Sequence, residues 1–120
     1  MLDLGLPTLV FRLAALLIAA TVHEFAHAWM ADRLGDPTPR YEGRLTLDPR
    51  AHLDPIGTVM LVLSVFLFRA GFGWARPVNV NPAFFSNRRR GMMLVAVAGP
   101  LANVTLAWVS SLLEQLLAGL

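Results

Sequence analysis

Three apolar segments of unequal length dominate the chain. The first extends over Thr8–Val22 and is interrupted only by Arg12, with mixed residues continuing the pattern beyond it. Pro7 suits the first turn of a helix and Gly35 suits a helix end, so the pattern predicts a helix over residues 7–34. A stretch of about 20 apolar residues, rising about 1.5 Å per residue, crosses the hydrocarbon core. This first helix is therefore expected to span a membrane.

The other two apolar segments differ from the first in length and interruption. Residues 56–68 contain no charge but are short for a full crossing, which predicts a re-entrant or partly embedded short helix. Residues 91–117 are long enough to span, and Gly99-Pro100 within them predicts a kink or break. Small residues along this third segment are typical of close helix packing.

Two polar stretches separate the apolar segments. Residues 35–55 contain four prolines and are predicted to be an ordered loop, in which the alternation of RYEGRLTLD (40–48) is compatible with a short edge strand. Residues 73–82 are predicted to be extended, because the residue before a proline is driven towards the β region. Taken together, residues 1–120 are interpreted as one domain of an all-α membrane protein. We expect a multi-pass helical bundle with a re-entrant or short helix and a small extended segment.

Composition and charge agree with the membrane interpretation. Hydrophobic residues make up 56% of the chain and charged residues 15%, whereas soluble domains have about 45–50% and about 25%. The net charge of +2 is too small to indicate a nucleic-acid partner, and the absence of cysteine excludes disulfides and thiolate metal sites. Nine of the ten arginines lie within residues 33–90, which predicts that this region is on the cytoplasmic side of the cell membrane. No basic residue precedes Arg12, so the first apolar segment is expected to stay in the mature protein.

The sequence HEFAH places three polar groups inside the first apolar helix. His23 and His27 are four residues apart, so both imidazoles project from one helix face and can bind one metal ion. Glu24 lies beside them and can take a proton from a zinc-bound water. The alternative is that all three are polar groups that pack against other helices. An unpaired carboxylate in hydrocarbon costs several kcal/mol, so metal binding is the favoured interpretation. Met30 and Arg33 replace the glycine and histidine of the longer HExxHxxGxxH motif, which excludes that class.

Four separated motifs resemble the site-2 protease family of intramembrane zinc metalloproteases (peptidase M50-like). They are HEFAHAWMADRLGD (23–36), LDPRAHLDPIGT (47–58), GWARPVNVNP (73–82) and GPLANVTLAW (99–108). The resemblance implies an endopeptidase that cleaves in or near transmembrane segments of membrane-protein substrates within the lipid bilayer. It leaves the oligomeric state open.

The same resemblance implies roles for individual residues. His23 and His27 would bind a single Zn²⁺, and Glu24 would act as the general base. Asn103 matches the asparagine of the family's G-P-x-x-N motif, which lies near the active site and contacts substrate or a developing oxyanion. The stretch ARPVNVNP, which includes Asn81, would pair with an unwound substrate by strand addition.

One family feature is missing from this sequence. The family's third zinc ligand is an aspartate in a downstream Leu-Asp-Gly-like motif, and no such motif precedes Leu120. Asp32 faces away from His27 on the helix, while His52 and Asp54 lie in a loop that can fold back. We therefore expect the chain to be a fragment of a longer enzyme. A non-catalytic membrane-embedded relative that acts as an interaction module is the alternative. His52 can equally hold the proline-rich turn, and Asn103 can simply hydrogen-bond another helix.

Overall fold

Helices account for most of the residues that the computed structural model describes, which are residues 5–120. The first four residues of the predicted domain lie outside this part. The helices are, in chain order, α1 (Leu6–Arg33), α2 (Thr38–Tyr41), α3 (Pro55–Phe68) and α4 (Arg88–Ala118), with 3₁₀ turns at Pro49–Ala51 and Pro82–Phe84. The structure thus agrees with the helical class, while the multi-pass arrangement stays a prediction.

The two long helices, α1 and α4, have the length and composition of membrane-spanning helices. Only 11% of the apolar window of α1 and 17% of that of α4 are buried. Their apolar side chains are therefore mostly exposed, unlike those of a helix in the core of a soluble protein. Helix α1 has Pro7 in its first turn, and after its end Gly35 adopts a left-handed φ of +103°. Glycine reaches this conformation without steric cost, which explains why the chain turns there.

Helix α4 is continuous through Pro100, so a break at Gly99-Pro100 is absent, while the alternative of a kink stays a prediction. Proline removes one backbone donor, but the remaining hydrogen bonds of a 31-residue helix hold it on both sides. The helix also begins before the predicted residue 91, because the Asn87 side chain accepts a hydrogen bond from the Arg90 amide at 3.0 Å. This N-cap places the arginine cluster 88–90 in the first turn of the helix.

Small residues let α1 and α4 approach each other closely. Ala28 and Ala31 of α1 are completely buried, and Ala98 and Gly99 of α4 are also buried. A hydrophobic core cluster joins Ala31 of α1, Val95 of α4 and Phe85, which precedes α4, with Met30, Leu34 and Val80 packed around it. The core is small, and it lies next to the HEFAH face of α1.

Helix α3 is short and capped. Asp54 accepts a hydrogen bond from the Gly57 amide at 2.8 Å, which satisfies one free donor of the first turn. Its 14 residues extend about 21 Å, less than the roughly 30 Å of a hydrocarbon core. After α3, Phe72 is tied back to the helix, since the Ser64 hydroxyl accepts a bond from its amide at 2.9 Å.

The expected edge strand at residues 40–48 is wrong. Tyr41 closes the short helix α2, and Gly43 then turns the chain with a left-handed φ of +71°. A turn of this kind breaks the alternation on which the strand prediction rested. Residues 5–120 contain no β-strand, and the isolated antiparallel bridge between Leu53 and Ala75 is the β-type contact of the predicted extended segment.

Candidate functional site

The two histidines of HEFAH meet on successive turns of α1. Their Nε2 atoms are 3.0 Å apart. The ring centroids are 4.6 Å apart and the ring planes are almost perpendicular, at 84°. Both rings are half-buried against α4. The spacing of four residues therefore brings the two nitrogens together, as the helix geometry predicts.

Helix α4 holds the far side of each imidazole. His27 Nδ1 lies 2.6 Å from the backbone oxygen of Val95, which can only accept, so this nitrogen carries the proton and donates. The Nε2 atom of a neutral His27 then keeps its lone pair free for a proton donor or a metal ion. A bond from the second ring nitrogen to a carbonyl is the usual way in which a metal-binding histidine is oriented.

Asn103 contacts the same ring nitrogen of His23, but with the opposite hydrogen-bond direction. Its Nδ2 is 3.1 Å from His23 Nδ1, and its Oδ1 is buried without a hydrogen-bond partner among the described residues. Without a metal, the amide donates to His23, which donates through Nε2–H to His27. If the Asn103 side chain turns over, Oδ1 accepts a hydrogen bond from His23 Nδ1–H, and both Nε2 atoms are then free to bind a metal.

The space beside these nitrogens exists because residue 99 is glycine. A Cβ at Gly99 would lie 2.6 Å from His27 Nε2 and 2.8 Å from His23 Cε1, closer than real Cβ contacts. Two zinc–nitrogen bonds of about 2.05 Å at a tetrahedral angle separate their nitrogens by about 3.3 Å, near the observed separation. His23 and His27 thus fit as two ligands of one zinc ion. Residues 5–120 contain no group of three His, Cys, Asp or Glu side chains placed to bind a metal.

Glu24 lines a cleft next to the histidine pair. The cleft has a volume of about 390 Å³ and is bounded by Glu24 and His27, by residues 77–80, and by Met92, Val95 and Ala96 of α4. The Glu24 carboxylate is half-buried and accepts no hydrogen bond from any residue in 5–120. It is therefore free to exchange a proton with a molecule in the cleft.

Residues 78–80 form the opposite wall of the cleft. Val78 and Val80 are half-buried and Asn79 is exposed, which is the alternation of an extended backbone. The Asn79 side chain donates to Glu42 at 3.1 Å. The backbone amides and carbonyls of these three residues make no hydrogen bond with the described part of the chain. They are thus available to a ligand in the cleft.

The structure gives the other predicted site residues different surroundings. Neither His52 nor Asn81 lines the cleft. His52 is fully buried, and its Nε2 lies 2.6 Å from the Thr46 carbonyl. Asn81 caps the following 3₁₀ turn, accepting from the Ala83 amide at 3.1 Å. The two acidic residues weighed as internal ligands are also engaged, since Asp54 caps α3 and Asp32 pairs with Arg40 at 2.8 Å.

Comparison with known proteins identifies relatives over most of the chain. It is 42% identical over 112 residues to a Bacillus subtilis protein named "Putative zinc metalloprotease YwhC", covering 93% of this chain and 48% of that protein. It is also 37% identical over 99 residues to a Mycobacterium tuberculosis protein named "Putative zinc metalloprotease Rip2", covering 82% of this chain and 37% of that protein. No family model and no solved structure matches the chain significantly.

The chain spans about half the length of YwhC and less of Rip2. Within that span, the matches reach 93% of the chain's residues, so they extend far beyond the HEFAH motif. The chain is thus a homologue of bacterial proteins named as zinc metalloproteases, and the resemblance to the site-2 protease family is confirmed.

Proposed function

We propose that this chain carries catalytic residues of a zinc-dependent intramembrane endopeptidase. The observation that supports this most directly is that His23 and His27 Nε2 lie 3.0 Å apart. Glu24 lines the cleft beside them and has no hydrogen-bond partner within residues 5–120. The names of the relatives supply independent support for zinc and for proteolysis. Two His ligands account for two of the three protein ligands that catalytic zinc normally takes.

The roles of the residues follow from their contacts. Zinc held by His23 and His27 would lower the pKa of a bound water to about 7 and polarise a substrate carbonyl. Val95 and Asn103 keep the two imidazoles oriented towards one point. Glu24 takes the proton of the attacking water and returns it to the amine that leaves when the peptide bond breaks.

The free backbone of residues 78–80 suits an extended substrate. A peptide that adds as a strand there would pair with these amides and carbonyls and run past Glu24 and His27. Peptide bonds in a transmembrane helix are internally hydrogen-bonded, so the substrate segment must unwind before it can bind in this way. We propose transmembrane proteins as substrates, and a multi-pass location with residues 33–90 on the cytoplasmic side of the cell membrane.

Zinc content of the purified protein in detergent tests the metal centre. We expect wild type and Glu24→Gln to bind one zinc ion per molecule, and His23→Ala and His27→Ala to lose it. His52→Ala is the matched control, because it removes an imidazole that the structure places away from the cleft. Equal zinc in the wild type and all three His variants would refute the metal centre. Zinc binding without any peptide hydrolysis by the wild type would instead favour a non-catalytic relative.

A further inference from the structure

Two buried charged side chains form hydrogen bonds with the backbone at the two ends of the cleft wall, on either side of residues 78–80. Arg44 is 4% exposed and Asp36 is completely buried. Arg44 bonds residues 76 and 77, and Asp36 bonds residue 81. Between these anchors, the backbone of residues 78–80 makes no hydrogen bond within residues 5–120. Burying a charge is unfavourable unless hydrogen bonds compensate for the lost hydration. The burial of Arg44 and Asp36 therefore needs an explanation, because charged residues in a loop are normally solvated.

Arg44 spans two consecutive carbonyl groups. Its Nη1 donates to the Pro77 oxygen at 2.9 Å, and its Nη2 donates to the Arg76 oxygen. Nη2 also lies 3.3 Å from His52 Nδ1, while its Nε is buried with no partner among the described residues. Burial lowers the pKa of Arg44, as does Arg76, while Glu24 and Glu42 oppose the shift. The planar guanidinium can form this fork, whereas a lysine ammonium cannot.

Neighbouring backbone bonds fix the same end of the wall. The Arg76 amide donates to the His52 carbonyl at 2.7 Å, and Ala75 forms the isolated bridge with Leu53. His52 accordingly belongs to the support of Arg44 and residue 76. This accounts for a buried histidine in the loop without a direct role in the cleft.

Asp36 fixes the other end to the helix that carries the histidines. Its Oδ2 accepts a hydrogen bond from the Asn81 amide at 2.7 Å, and its Oδ1 accepts from the Thr38 amide at 3.0 Å. The Asp36 amide donates to the Ala31 carbonyl at the end of α1 at 2.9 Å. Val80 packs against the core cluster that contains Ala31. Asp36 thus fixes the position of this end of the wall relative to α1.

We propose that Arg44 and Asp36 are positioning residues that hold residues 78–80 as a preformed edge, and that they thereby set the affinity for an extended peptide chain. The proposal rests on the function proposed above. A backbone already held in its bound conformation loses less conformational freedom when a peptide pairs with it. Both residues act through the backbone of the wall and not through the zinc ligands, so they should affect substrate capture while zinc binding is unchanged.

A binding experiment on an inactive background tests this directly. Fluorescein-labelled β-casein, a largely unfolded protein, is titrated with full-chain Glu24→Gln protein in detergent, and the Kd is measured by fluorescence anisotropy. We expect Arg44→Met on this background to raise the Kd by about tenfold or more, through loss of preorganisation. Arg50→Met is the matched control, because the Arg50 side chain is 88% exposed and, within residues 5–120, pairs only with Asp48 nearby. Its Kd should stay within about twofold of the parent.

Further measurements separate positioning from loss of fold. Zinc stoichiometry and helical circular dichroism should be unchanged in Arg44→Met. When Glu24 is present, Arg44→Met should raise the KM for peptide hydrolysis and keep kcat within about threefold. This is the pattern expected when an interaction is lost that stabilises the bound substrate and the transition state equally. If Arg44→Met does not fold, Arg44→Lys decides, with an expected rise in Kd of at least about threefold. Asp36→Asn should weaken casein binding in the same direction.

The outcomes that overturn the proposal are distinct from those that overturn the proposed function. An unchanged Kd in the folded Arg44 variant, or no casein binding by the Glu24→Gln parent, rejects the preformed edge. Loss of kcat with unchanged KM rejects it as well. Absence of zinc from the wild type rejects the metalloprotease proposal, and it does so without reference to Arg44.

Discussion

Replacement of Gly99 by alanine adds one methyl group where α4 touches both imidazoles. The new Cβ would lie 2.6 Å from His27 Nε2, 2.7 Å from His27 Cε1 and 2.8 Å from His23 Cε1. Non-bonded carbon atoms rest about 3.5–4.0 Å apart, so the rings must retreat by about 0.7–0.9 Å. The rings cannot retreat by this much while each Nδ1 keeps its hydrogen bond to α4 and the two Nε2 atoms stay close to one point.

The effect on zinc should exceed the effect on stability. Overpacking costs about 1–3 kcal/mol, and alanine recovers about 1 kcal/mol of helix propensity relative to glycine. The free energy of unfolding should therefore fall by only about 0–2 kcal/mol. Zinc affinity should fall by about 10–100-fold, which is the usual effect of disturbing the groups that orient metal ligands.

Competition with a chromophoric chelator measures the zinc affinity, and thermal unfolding by circular dichroism measures the stability. Gly119→Ala, at the residue that directly follows the end of the same helix, is the control, since its Cβ would meet only the carbonyl oxygens of Leu116 at 3.6 Å and Gln115 at 3.7 Å among the described residues. If Gly99→Ala binds zinc as tightly as Gly119→Ala, then the space at Gly99 is not part of the metal centre and the reasoning fails.

Substitutions at Glu24, Asn103 and Ser64 test the site and its support. Glu24→Gln should keep zinc but lower the cleavage rate by at least about 100-fold, because the general base is lost; unchanged cleavage would exclude that role. Asn103→Ala should weaken zinc binding by about 10–100-fold, whereas Asn103→Asp keeps an acceptor for His23 and should retain it, as chelator competition can check. Ser64→Ala removes a buried hydroxyl that bonds Phe72 and should destabilise by about 1–3 kcal/mol. Exposed Ser110→Ala should leave thermal unfolding unchanged.

The long helices could be predicted from the sequence because their signals are local. The apolar stretch of residues 8–22, interrupted only by Arg12, with Pro7 before the helix and Gly35 after it, predicts α1 from length and end signals. The start of α4 at Arg88 was missed because charged residues in a first turn carry no apolar periodicity. The Asn87 cap that fixes this start is a single side-chain bond, and asparagine is equally common in turns.

The loop was harder to predict because its structure depends on distant partners. Alternation around Arg44 indicated an edge strand, but Gly43 turns the chain and Arg44 is drawn inwards to the carbonyls of residues 76 and 77. An arginine in a polar loop is normally solvated. Its burial here follows from contacts more than 30 residues away, which no local pattern contains.

Two ligands of the proposed metal centre could be predicted from the sequence because their spacing is local. The four-residue spacing of His23 and His27 guarantees one face of one helix, and the structure brings their Nε2 atoms together. Their outer partners, Val95 and Asn103, come from α4 and are 68 and 80 residues away along the chain. Gly99 alone signals only close packing, and its place against both rings requires the α1–α4 contact.

Glu24 is the residue of this face that the fold itself does not explain. The imidazole of His27 bonds Val95 and that of His23 bonds Asn103, so both histidines would be tolerated as packing groups between two helices. The Glu24 carboxylate has no hydrogen-bond partner in residues 5–120 although it is half-buried on an apolar helix. A carboxylate in this position is unfavourable unless a cation, a proton or water satisfies it. Zinc beside it and water in the cleft would supply that partner, so the destabilising residue is the one with which the proposed chemistry begins.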